Sequence, residues 1–146
     1  MDIFEAYEVS TDAVKDGIWA ELILMGKQIG RIRVRPSDPD LNHDYRKGLA
    51  AMGMVLRTMK ADGTDLNDSR ATKLTAALFA ETIVTDYELY TAGVGALKGK
   101  EVRIPYSVKK CADLLTKLPK LMSATSQAAT QWTKFRRANA ADAVKS

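Results

Sequence analysis

The hydrophobic period of this chain switches from two to about 3.6 across one short segment, Pro36-Ser37-Asp38-Pro39-Asp40. Just before it, Ile32 and Val34 alternate with Arg31, Arg33 and Arg35, which puts apolar and cationic side chains on opposite faces of a strand. Upstream, residues 17–24 (GIWAELIL) are rich in β-branched and aromatic types, and Met25-Gly26-Lys27-Gln28 reads as a turn. Together these segments predict a β-hairpin over about 17–35. A two-stranded hairpin is marginal alone, so it must pair with another strand or pack on helices. Residues 3–9 are a candidate third strand. The arginine face suits phosphate, but a charged face that discourages edge-to-edge pairing explains it more simply. The two prolines fix φ and lack a donor, which ends the strand.

Beyond Asp40 the pattern is helical. Asp40 or Asn42 can cap a helix over about 42–60 carrying the stripe Tyr45, Leu49, Met52, Leu56 and Met59. Its methionines suit a forgiving core or a groove for varied partners, with core favoured. A polar connector, 61–68, holds Asp62, Asp65 and Asp68, but their spacing of three and the missing closing glutamate do not make a calcium loop. Asp68 or Ser69 can cap a second helix over about 69–90, with Leu74, Leu78, Phe79, Ile83, Tyr87 and Tyr90 on its apolar face. Gly93, Gly95 and Gly99 lack the Gly-Lys-Ser/Thr ending of a phosphate loop and predict a flexible connection between helices. Pro105 keeps Val102 to Tyr106 extended.

Ser107 then caps a helix over about 107–118 bearing Val108, Cys111, Leu115 and Leu118. Pro119 opens a last helix over about 119–137 with the narrow stripe Leu121, Thr125, Ala128, Trp132 and Phe135. The expected fold is therefore α+β and predominantly helical, an N-terminal β-hairpin followed by four or five helices. It forms a single domain over 1–136, with an alanine-rich flexible tail at 137–146.

With 146 residues there is room for one domain, and 46% hydrophobic content allows a packed core. No apolar run approaches the ~18 residues of a membrane span, and the opening Met1-Asp2-Ile3-Phe4-Glu5 lacks a secretory leader's basic-then-apolar order. A single cysteine, Cys111, excludes an internal disulfide framework and fits a reducing cytoplasm. The charge is uneven: residues 1–97 carry −4 and residues 98–146 carry +8, matching the net +4. The basic residues of the last third are dispersed, which favours a solvated helix face over a nucleic-acid arm.

Catalytic signals are weak. His43, the only histidine, sits beside a helix cap, Cys111 lies on an apolar stripe, and neither zinc spacing nor a serine nucleophile elbow is present. The sequence therefore predicts no catalytic residue, no metal and no cofactor.

Two stretches carry a family likeness. One is Gly99-Lys100-Glu101-Val102-Arg103-Ile104-Pro105-Tyr106-Ser107, followed by Leu114-Leu115 and Leu118-Pro119-Lys120-Leu121 and a helix ending at the aromatic Phe135. The other is Gly17-Ile18-Trp19, a glycine turn, an arginine-bearing strand, and Asn42 to Tyr45 opening a helix. Over about residues 15–136 the chain resembles the tail assembly chaperones of long-tailed bacteriophages. It departs from them at Tyr87, near which they often carry tryptophan.

The resemblance implies a non-catalytic protein of the host cytoplasm. Such a protein binds the long, largely helical tape-measure protein, keeps it soluble until the tail-tube protein polymerises around it, and can self-associate. Under that reading Leu121, Trp132 and Phe135 are the candidate partner or self-association contacts, with core packing as the competing role. The alternatives are a structural virion protein, such as a tail-completion or head–tail joining subunit, and a small nucleic-acid binder. Few aromatics interleave with basic residues, which ranks nucleic acid last.

Overall fold

The structure, a computed structural model, describes residues 2–61 and 68–137. Two short helices, α1 (Ile3–Tyr7) and α2 (Thr11–Asp16), precede the hairpin of β1 (Ile18–Leu24) and β2 (Lys27–Val34). Then come α3 (His43–Ala61), α4 (Asp68–Thr82), β3 (Val84–Glu88), β4 (Tyr90–Ala92), β5 (Glu101–Arg103), α5 (Val108–Lys117) and α6 (Pro119–Thr130). A 3₁₀ turn, Trp132–Phe135, follows α6. This is the expected α+β class, with the hairpin ahead of four main helices. The 61–68 connector and the tail beyond Arg137 fall wholly or mostly outside the described residues.

The three-stranded sheet has the order β1-β2-β3, antiparallel throughout. The β1–β2 loop is two residues, Met25 at φ 53° and Gly26 at φ 78°; a pair of positive φ values is the turn whose twist matches flanking strands. Ile32 and Val34 point into the core and Arg31, Arg33 and Arg35 to the other face, as the alternation predicts. β2 is nonetheless the central strand, so its arginines do not guard an edge. Gly30 is placed on β2 where a Cβ would stand 2.6 Å from the Glu88 carbonyl oxygen, so only glycine lets β3 come this close.

Three expected elements take another form. Residues 3–9 are not the third strand. Asp2 accepts from the Phe4 amide at 3.1 Å and opens α1, and of this segment only Val9 makes a β-bridge, to Arg136. The third strand comes from the expected 69–90 helix, which ends at Thr82. The run Thr82-Ile83-Val84-Thr85 is β-branched and stiff at χ1, and β2 offers it a pairing edge. The expected 119–137 helix ends at Thr130, and Gln131 leaves helical geometry at ψ 73°. The glycine segment links β4 to β5 rather than two helices.

The core lies between the inner sheet face and α4, α5 and α6. Its largest fully buried side chains include Tyr87, Phe135, Ile18, Ile32, Ile83 and Leu115. Tyr87 donates its hydroxyl to the Pro105 carbonyl at 2.8 Å, and Tyr106 donates to the Val84 carbonyl at 3.2 Å. Their rings meet edge-on at 5.2 Å. Burial pushes both phenols above their ordinary value. The Pro105-Tyr106-Ser107 motif is thus a clamp on β3, and Ser107 caps α5 by accepting from the Lys110 amide at 3.0 Å. Asn42 is buried at the start of α3 and ties three segments together.

Candidate interaction surfaces

The arginine ladder is matched by acids. Arg31 faces Glu88 on one side and Glu21 on the other; Arg33 faces Asp86 and Trp19. Arg31 makes a two-pronged bond to Glu88, Nε to Oε2 at 2.7 Å and Nη2 to Oε1 at 2.8 Å, and its guanidinium lies 4.2 Å from the Trp19 ring centre. Arg35 donates to the Val14 carbonyl at 2.9 Å and to Asp44 at 2.9 Å. Farther along, Lys117 sits 3.1 Å from Asp113. This face spends its cations on internal partners and offers phosphate little.

The same pairing sets an acid response. The bond from Arg31 holds Glu88 below the ordinary 4.5, and Arg35 holds Asp44 below the ordinary 3.8. A carboxylate whose pKa falls on folding stabilises the native state above its unfolded pKa and loses that contribution as pH falls through the folded one. Urea midpoints of Glu88→Gln should therefore decline less steeply than wild type between about pH 5 and pH 3. Parallel profiles would show that the pair adds nothing.

Of the candidate contact residues, Phe135 is wholly buried, the core-packing role that competes with partner contact. Its carbonyl accepts from Ser10 at 2.8 Å, pinning the N-terminal segment to the 3₁₀ turn. Trp132 is half-buried and stacks on Tyr7, with centroids 5.8 Å apart and planes 8° from parallel. Leu121 is half-buried and lines a groove of about 830 Å³ between β1 and α6. The three do not form one surface. Cys111 is buried, its thiol pushed up to about 12 by desolvation, and His43 is exposed. Among the described residues no group of three metal-ligating side chains converges, and no helix is long and apolar enough to cross a membrane.

Among the longer helices, α3 carries an apolar stripe that the core covers only in part. Its base is fixed by Tyr45, which meets Phe79 edge-on at 6.1 Å, and by Gly48, against which Leu78 of α4 packs. A Cβ at Gly48 would collide with that Leu78 side chain. Beyond Tyr45, no described residue of α3 joins the buried core. Leu49, Met52, Leu56 and Met59 are half-buried, while Met54 and Val55 are 63% and 45% exposed. The stripe read as core is instead the margin of one: α4 packs against α3, and the stripe beyond Tyr45 stays half-buried. Sequence periodicity finds the stripe but not its partial cover, because layering belongs to tertiary arrangement.

These features define a small α+β protein with a paired-charge sheet face and a methionine-bearing helix only partly covered. A family model described as YdaY prophage protein matches residues 41–146, which runs from the loop before α3 to the last residue. The chain belongs to that family and is phage-derived. No curated protein and no solved structure matches it.

Proposed function

We propose that this protein is a phage tail assembly chaperone that binds the tape-measure protein and keeps it soluble during tail assembly. The carrying observation is α3, a 19-residue helix whose apolar stripe lies largely outside the core. A tape-measure chain is a long helix whose apolar stripes aggregate until tube subunits enclose it. Methionine side chains adapt to many such stripes, so one surface can take successive stretches of a repetitive client. Membership of a prophage family and the likeness to tail chaperones support the same reading.

Co-expression with the tape-measure protein of the same prophage should raise its soluble yield several-fold and give a complex that co-purifies. Val55→Glu with Met59→Glu, four residues apart on one side of the helix at the flank of the stripe, should leave the circular dichroism spectrum intact and return the client to its insoluble baseline. An unchanged client yield with the wild-type protein would defeat the proposal. So would finding the protein as a stoichiometric part of purified virions, which is the structural-subunit alternative.

A further inference from the structure

We infer that the free edge of β1 is a self-association edge, along which a second copy of this chain adds antiparallel about a two-fold axis. β1 is bonded to β2 on one side only, and its other edge opens on the groove beneath α6. Edge strands are normally blunted by lysine, proline or inward charge. Residues 18–24 (IWAELIL) contain no lysine or proline and a single charge, Glu21, while Ile23 and Leu24 are 63% and 59% exposed. The middle of the groove's far wall is uncharged as well: Leu121, Ala124, Gln127, Ala128 and Gln131 line it, with Lys120 and Lys134 at its two ends. Depletion of charge at the centre of a surface marks a protein interface rather than a solvated helix.

The occupant follows from the strand's own pattern. A two-fold axis normal to the sheet and centred on Leu22 pairs Leu22 with its copy, Ala20 with Leu24, Glu21 with Ile23, and Trp19 with Met25. Every pair keeps its face of the sheet, and no like charges meet. Centring on Glu21 would oppose two carboxylates. The Leu22 register also explains Met25, which is 97% exposed at φ 53°, a position where asparagine or glycine is the unstrained choice. Opposite Trp19 of the copy, its sulfur gains an aromatic neighbour. The same axis sets the two α6 helices side by side on one face of a six-stranded sheet, with Leu121 and Ala124 of each lining the seam.

Sedimentation equilibrium should show a reversible dimer of the 16.0 kDa chain at about 100 µM. Ile23→Glu should weaken it by about 100-fold, since on both sides of the axis it sets a second carboxylate against Glu21 of the copy. Met25→Asn should weaken it by about 10-fold while raising the monomer's thermal midpoint, because it relieves the positive-φ strain; this variant cannot fail by unfolding. Hydrogen exchange at 18–24 should slow as concentration rises. A monomer throughout, or a dimer indifferent to both substitutions, overturns the inference. So does edge protection that appears only on adding tape-measure protein, which would give the edge to the client. The inference does not depend on the chaperone reading.

Discussion

Asn42→Ala is expected to remove about 3 kcal/mol of stability, cutting the folded-to-unfolded ratio by roughly 100-fold. The residue is fully buried. Its amide nitrogen donates to the Pro36 carbonyl at 3.0 Å and to the Thr82 carbonyl at 2.9 Å, while its Oδ1 accepts from the Tyr45 amide at 3.1 Å. One side chain therefore ends the post-hairpin loop, caps α3 and holds the end of α4. Alanine removes a helix cap worth ~1 kcal/mol and strips two buried carbonyls of that donor at ~1–3 kcal/mol in all. Asn42→Asp keeps the cap oxygen but turns a donor into a carboxylate facing two carbonyls, so it should fare no better. Urea titration followed by circular dichroism measures both. A loss below about 0.5 kcal/mol for alanine would mean that these bonds are replaced by water at little cost.

Phe135→Ala should cost about 3–5 kcal/mol, the range for truncating a fully enclosed aromatic. Against a total stability of ~5–15 kcal/mol that is enough to unfold a large share of molecules near body temperature. Trp132→Ala, three residues away, should cost only about 1 kcal/mol, because the ring is half-buried and loses mainly its stack on Tyr7. Thermal melts of the two variants side by side test this. Equal losses would contradict the placement of one ring inside and the other at the margin.

The contrast between these neighbours shows where the sequence is legible. Spacing places Trp132 and Phe135 on one helical stripe, but the helix stops at Thr130, and in the 3₁₀ turn that follows only Phe135 is fully enclosed while Trp132 stays half-buried against Tyr7. β3 is hidden for a related reason. Its register slips between Arg33 and Val34 of β2, so the inward residues Val84 and Tyr87 are three apart, not two. Phe79, Ile83 and Tyr87 then follow one another at spacings of four, and a bulged strand imitates the helix that precedes it. The hairpin was legible because its alternation is regular and its turn has a glycine where φ must be positive. The caps at Asn42 and Ser107 were legible because capping is local chemistry. The sheet order, the acids opposite each arginine and the partial cover over α3 depend on contacts between distant residues, and no local period encodes them.

The most direct test of the client-binding role is methyl NMR of the methionines during titration with a soluble tape-measure fragment. Met52, Met54 and Met59 mark α3, while Met122 lies on α6 against the core and Met25 at the hairpin tip. The account predicts that Met52 and Met59, which share the stripe, shift and broaden together, while Met54 on the opposite side of α3 and Met122 stay in place. Unmoved Met52 and Met59 methyls at saturating fragment, or shifts confined to Met122 and Met25, would contradict it.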